Sequence, residues 1–346
     1  MIEFYLLSTI IVISLWIKKT ENVLFYSFIG IFLFSAIRYN FGSDYKQYER
    51  MFLDLNSRSW KSYDYEIGWV YLNRYLLNFR VLLIVTSLFN NFVVYNLVKK
   101  FVDKKYYWIA LFIYLFNPDI FLVNLSMMRQ TVATSFILLA FLFCTHKKYI
   151  KSILLLMLAF CFHRTSIICV ILYPLWFLID YKKNVILLFL TFLVASLTAL
   201  NFFENQMQII MSIMETDDYG KYMIEGTSSW GIGVILKFII TFFLLYTYVE
   251  SKNSDKSFFL IIAAFSFIFI PLSNISVMLM RLSMYFVTYY VFAIPIALEN
   301  CRKLYLKKVL IFIVLVLFLY SSFAFFNDPI YGGAFKKYST FLTLIK

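Results

Sequence analysis

Charge is what this sequence has least of. Only 15% of its 346 residues are Asp, Glu, Lys or Arg, against 62% apolar residues and a mean hydropathy of +0.79. So few charges do not coat a water-soluble body of this size, and lipid must be the solvent for much of the exterior. Cysteine and histidine are scarce too. Cys144, Cys161, Cys169 and Cys301 lie in or beside apolar runs with no metal-ligand spacing and read as small core hydrophobes. The two histidines, His146 and His163, stand apart, and there is no HExxH motif and no acidic triad, so no metal or other cofactor is expected. The first apolar run, Ile2 to Ile17, has no basic segment before it and no small-residue cleavage site before Lys18-Lys19, and is expected to stay as a span. With neither an internal repeat nor a stretch polar enough for a soluble domain, 1–346 reads as a single transmembrane domain.

Acidic residues are outnumbered 19 to 32, a formal net charge of +13. Gathered in one patch, such an excess is the footprint of nucleic-acid binding. Here the lysines arrive as short clusters between apolar runs, the pattern of basic cytoplasmic loops, so no nucleic-acid partner is expected. Apolar runs suited to spanning fall at about 2–17, 23–37, 80–98, 106–123, 127–144, 184–203, 231–249, 257–273, 281–298 and 306–326. The stretch 152–179 is long enough to cross twice only as two short helices. It is broken at Cys161-Phe162-His163-Arg164-Thr165-Ser166 and reads as a split or re-entrant hairpin. Counting it as two crossings predicts an all-α polytopic protein of about twelve membrane segments with both termini outside. The short basic loops 18–22, 99–105, 145–151, 180–183, 250–256 and 299–308 are assigned inside, and the long loops outside. Of these, 204–230 carries Glu204, Glu215, Asp217, Asp218 and Glu225 against Lys221 alone.

The longest non-spanning region, 38–79, places Tyr48, Met51, Phe52 and Leu55 at intervals of three and four, an amphipathic helix. Residues 67–79 form a second apolar-aromatic segment too short to span. Both are expected to lie on the outer membrane surface as a roof, with Trp60, Trp69 and Tyr71 at headgroup depth.

Arg129 follows Met127-Met128 near the outer start of a span. It reads either as an arginine snorkelling to the interface or as a clamp for a diphosphate or carboxylate, which a planar guanidinium suits. Arg281 repeats the arrangement, with Tyr285 and Tyr289 following at helical spacing. Basic residues on that side run against the positive-inside rule, which adds weight to both. His163 and Arg164 lie in the hairpin break. His163 is either a structural hydrogen-bonding group or an acceptor of a hydroxyl proton. In the first outer loop Arg38, Asp44, Tyr45, Tyr48 and Glu66 are candidates. Gly42-Ser43-Asp44 also reads as a turn in which Asp44 caps the next helix, and Glu66-Ile67-Gly68-Trp69 as an acidic first turn. Asp119, after Pro118, is expensive at membrane depth unless paired. Arginines with one base, open to the outside and to lipid, favour an enzyme acting on a lipid-linked anionic substrate. A flippase or anion transporter would use the same residues.

In order along the chain, Arg38 to Asp44 with its following tyrosines, Tyr65-Glu66, Met128-Arg129-Gln130, Phe162-His163-Arg164-Thr165-Ser166 and a late Arg281 before an aromatic helix are similar to the EpsG family. These are multi-spanning proteins of exopolysaccharide, capsule and O-antigen loci, related to the Wzy-type polysaccharide polymerases. The resemblance implies a fold similar to the lipid-dependent GT-C type glycosyltransferases, in the bacterial cytoplasmic membrane, with the active face outside. It implies that two undecaprenyl-diphosphate-linked oligosaccharide units meet there, and that the growing glycan passes from its lipid diphosphate to the non-reducing-end sugar of the other. Neither nucleotide sugar nor metal is then needed, and the implied partners are membrane lipids, a chain-length regulator and a flippase of the same pathway. On that expectation Arg129 and Arg281, with Arg38 or Arg164, bind the leaving diphosphate. His163 or Asp44 takes the proton, and Gln130, Tyr45, Tyr48, Glu66, Tyr285 and Asp119 support them. The alternatives from other classes are a transporter of lipid-linked oligosaccharide and a membrane acyltransferase that modifies the glycan.

Overall fold

Apolar runs punctuated by lysine pairs become helices with the lysines at or near their ends. α1 (Ile2–Ile17) ends before Lys18, and α2 (Glu21–Ala36) starts on Thr20, whose hydroxyl accepts the Val23 amide. One stripe of α1, Phe4, Ser8, Ile11 and Leu15, is buried. Ile2, Leu6, Ile10, Ile13 and Ile17 on its other faces are exposed, a surface suited to lipid and not to water. The computed structural model describes residues 1–57, 65–177, 187, 189–198, 232–251, 253–269, 277–329 and 332–344. Trp60 and the expected outer loop 204–230 lie outside the described residues.

Five described helices are long and apolar enough to cross a membrane: Phe79–Phe101, Met128–Thr145, Gly233–Glu250, Arg281–Asn300 and Leu304–Asn327. Shorter apolar helices occupy Ile2–Ile17, Glu21–Ala36, Tyr149–Phe162, Arg164–Pro174 and Phe189–Thr198. The protein is a predominantly helical, multi-pass membrane protein. Where about twelve spanning segments are expected, fewer described helices reach full length because breaks shorten several. The run 106–123, for example, ends as a helix at Phe116, since Pro118 disfavours helical backbone at the residue before it.

The chain divides into two units, Met1–Val170 with Phe318–Lys346, and Ile171–Leu317. In the first, α2 leads through β1 (Arg38–Tyr39) to α3 (Tyr45–Ser57), α4 (Ile67–Tyr75), α5 (Phe79–Phe101), α6 (Tyr107–Phe116), α7 (Leu122–Ser126), α8 (Met128–Thr145) and α9 (Tyr149–Phe162). The tail supplies β2 (Ser339–Thr340), antiparallel to β1 with Arg38 opposite Thr340 and Tyr39 opposite Ser339. One end of this unit is basic. There Glu21 joins Lys99 at 3.0 Å and Lys104 at 2.7 Å, and Lys100 Nζ meets His146 Nε2 at 2.5 Å. The other end gathers β1, β2, the starts of α3 and α8, and the Met1 ammonium, which donates to the Lys336 carbonyl at 2.6 Å.

At that end the amphipathic pattern packs inward. Tyr45, Tyr48, Met51, Phe52 and Leu55 of α3 form one core with Trp69 and Val70 of α4, Phe79, Leu82 and Leu83 of α5, and Met128 and Val132 of α8. Trp69 is fully buried in the protein, its indole N–H donating to Met51 Sδ at 3.2 Å, whereas Tyr71 is 39% exposed. Apolar area drives this burial, and the sulfur gives the indole a partner. α9 folds back along α8, with the Ser152 hydroxyl donating to the Ala140 carbonyl at 2.7 Å and Ala159 fully buried. Small residues of this kind let membrane helices approach closely.

In the second unit the spanning stretch Arg281–Asn300 is notched by a turn at Thr288-Tyr289, between the helical segments Val277–Val287 and Tyr290–Asn300. Tyr285 and Tyr289 are both buried, and Ser266 donates to the Tyr290 hydroxyl at 2.9 Å.

Candidate functional site

The convergence of charged groups in the first unit begins with two chain breaks. α9 ends at Phe162. His163 is extended (φ −158°, ψ 114°), and the chain resumes as a 3-10 turn over Arg164–Ile171. A new helical turn starts with amides that have no partner inside it. The Arg164 amide finds one in Glu66 Oε1 at 3.4 Å, across 98 residues of chain. Glu66 itself stands just before α4 and does not cap it; its side chain turns instead to α8 and α9.

Glu66 is the hub. Its Oε2 accepts Arg129 Nη1–H at 2.5 Å, its Oε1 faces His163 Nδ1 at 3.2 Å, and its side chain is 8% exposed. Burial pushes the carboxyl up, but the hydrogen bond from His163 and the attraction and hydrogen bonding of Arg129 outweigh it and hold the group at about 2. An ionised carboxylate only accepts hydrogen bonds, so Nδ1 of His163 is the donor to Glu66 and Nε2 is the ring nitrogen turned away from it. Nε2 is buried and has no hydrogen-bond partner among the described residues. The Glu66 contact thus fixes the orientation of the imidazole ring.

Arg129 is fixed from other sides as well. Its guanidinium lies over the Tyr65 ring at 5.7 Å, and its backbone amide donates to the Tyr48 hydroxyl at 3.5 Å. Tyr48 packs edge-on against Trp69 at 5.5 Å, and burial raises its phenol above the ordinary range. α4 comes close enough for Glu66 to reach α9 because residue 68 is glycine: a Cβ there would meet the Cys161 carbonyl oxygen at 2.8 Å. Tyr65 and Gly68 are contributors that residue type alone does not flag. Their one sequence signal is adjacency to Glu66.

The other expected site residues have surroundings of their own. Arg38 is 2% exposed. Its guanidinium donates to the carbonyl of Ser35 and, at 3.0 Å, to that of Leu125, the closing turns of α2 and α7; the Ser87 hydroxyl accepts at 3.5 Å. It lines a small cavity of about 20 Å³ with Asn90, Asn91 and Asn124, room for about one water and not for a diphosphate. Burial lowers its pKa to about 10. The expectation that Arg38 helps hold diphosphate thus does not fit its surroundings, which suit a clamp between helix ends. The Arg164 side chain is exposed. Asp44 opens α3 through its carbonyl, which accepts the Tyr48 amide at 2.9 Å, while its carboxylate accepts the Ser43 hydroxyl at 3.0 Å. Tyr45 is 5% exposed, edge-on to Phe79, with burial pushing its phenol to about 12. Gln130 is buried in α8. Asp119 is half-buried, its amide donating to Asn117 Oδ1 at 3.3 Å. Arg281 and Tyr285 belong to the second unit. Among the described residues no group of His, Cys, Asp and Glu side chains is arranged to hold a metal ion.

No curated protein and no solved structure matches the chain. The EpsG family profile matches residues 21–340, a stretch that contains Glu66, Arg129, His163 and Arg164. The chain belongs to the EpsG family.

Proposed function

We propose that this protein is a Wzy-like polymerase that lengthens a polysaccharide by transferring a glycan from undecaprenyl diphosphate to the non-reducing-end sugar of a second lipid-linked unit. Membership of the EpsG family supports a polysaccharide-polymerase-type role in general. The finer reading rests on one observation: a buried carboxylate that orients a histidine and pairs an arginine at the same point.

In the proposed step the acceptor hydroxyl oxygen attacks the anomeric carbon of the donor glycan, a new C–O bond forms, and the bond from that carbon to the lipid diphosphate breaks. His163 Nε2 takes the hydroxyl proton, and Glu66 offsets the positive charge that develops on the ring. Arg129 has donors beyond the one spent on Glu66. These face the growing negative charge on the departing diphosphate, where electrostatic stabilisation contributes most. The reaction is assigned to residues of the first unit alone.

The test is the lipid-linked pool in a deletion strain complemented with His163→Ala or Arg129→Lys. Single repeat units accumulating on the outer leaflet, with normal amounts of protein in the membrane, are expected. Units trapped on the inner leaflet would identify a flippase, and full-length polymer lacking a substituent would identify an acyltransferase. Full-length, fully substituted polymer from both variants would refute the assignment.

A further inference from the structure

A second concavity opens at the end of the first unit where the segment between β1 and α3 meets residues 333–339, and none of the groups assigned to catalysis lies in it. Its volume is about 560 Å³, within the span of about 300–1,000 Å³ that small-molecule sites occupy. One wall is the turn between β1 and α3, with Tyr39, Ser43 and Lys46. The other is the tail, with Lys337 and Ser339.

The walls are tied together. Gly42 N–H donates to the Ala334 carbonyl at 3.2 Å, Ser339 Oγ donates to the Tyr39 carbonyl at 2.7 Å, and the β1–β2 pairing closes the base. Gly42 has φ +119°, backbone that side chains rarely adopt, and a Cβ there would meet Ser126 Oγ at 2.9 Å. The turn is thus built around a glycine and joined to the end of α7.

The lining chemistry selects its occupant. The lining combines apolar surface with the polar groups of Asn40, Ser43 and Ser339 and one aromatic ring, Tyr39, so a purely apolar ligand would leave polar groups desolvated. A sugar offers hydroxyls to such a wall and a C–H face to the ring. No lining residue is acidic, and the exposed ammonium groups of Lys46 and Lys337 have no acidic partner among the described residues. From this we infer that the groove binds an anionic sugar residue, one bearing a carboxylate or phosphate, of the glycan that is joined; the assignment to that glycan rests on the polymerase reading above.

Full-length protein in neutral phosphatidylcholine nanodiscs, titrated with tetragalacturonate and with maltotetraose, tests it. Tetragalacturonate is expected to bind with an affinity that falls as salt rises, and Lys46→Gln with Lys337→Gln to weaken it by about tenfold or more. Both lysines are exposed, so the double variant is expected to unfold at the wild-type temperature. Equal affinity for maltotetraose, or unchanged affinity in the double variant, would overturn the inference. Abolition of tetragalacturonate binding in phosphatidylglycerol nanodiscs would assign the groove to lipid headgroups and overturn it too. Glu66→Gln is expected to lose transfer and keep tetragalacturonate affinity, so a wrong polymerase reading and a wrong groove assignment fail in different measurements.

Discussion

Replacing Glu66 by Gln removes one negative charge and keeps the shape of the side chain. In the wild type that charge sits 2.5 Å from Arg129 Nη1 and 3.2 Å from His163 Nδ1, with the side chain 8% exposed. A carboxyl held at about 2 against an ordinary 4.5 favours its charged form in the folded protein by about 3 kcal/mol, at about 1.4 kcal/mol per tenfold. The same size comes from a separate route: removing one partner of a buried pair is destabilising by about 3–5 kcal/mol. The Arg129 side chain is 24% exposed, which puts this pair at the lower edge of that range. Glu66→Gln is therefore expected to reduce stability by about 3 kcal/mol. It is also expected to slow transfer by about 10²–10⁴-fold, because an amide turning its NH₂ toward Nδ1 favours the tautomer with its proton on Nε2. Thermal unfolding of purified protein followed by tryptophan fluorescence measures the first effect, and polymer length in a complemented deletion strain measures the second. An unchanged unfolding temperature together with full-length polymer would refute both the hub geometry and the dyad.

The remaining predictions follow from neighbouring groups. The stabilisation from Glu66 is fully present above pH 4.5 and is lost as pH falls toward about 2, so wild-type unfolding temperature is expected to drop over that window more steeply than that of Glu66→Gln. Gly68→Ala should push α4 away from Cys161 and destabilise by about 1–3 kcal/mol, with shortened polymer; an alanine variant of wild-type stability would mean that the close approach is not needed. Arg38→Gln is expected to lower membrane abundance and unfolding temperature, by about 2–3 kcal/mol, through lost bonds to the Ser35 and Leu125 carbonyls. A stable Arg38→Gln protein with a selective defect in binding lipid diphosphate would restore Arg38 to the substrate.

What the sequence determined by itself is the solvent and the helices. Apolar runs of spanning length, closed by lysine pairs, dictate a multi-pass helical protein because backbone polar groups in lipid must be satisfied within each segment. The period of α3 is equally local, since Tyr48, Met51, Phe52 and Leu55 share a face wherever that helix packs. Even the break at His163 is legible, as a polar cluster inside an apolar stretch. The tertiary structure decided what those polar residues do. Glu66 looks like the acidic first turn of a helix until α9 brings His163 and Arg164 to it, and Arg38 looks like a free arginine until two helix ends enclose it. Trp69 looks exposed on a surface helix until α3 covers it. Residue type and period are properties of a few neighbouring positions, whereas the role of a charge depends on which distant group neutralises it. That pairing, across 63 residues for Arg129 and 97 for His163, exists only once the helices have packed.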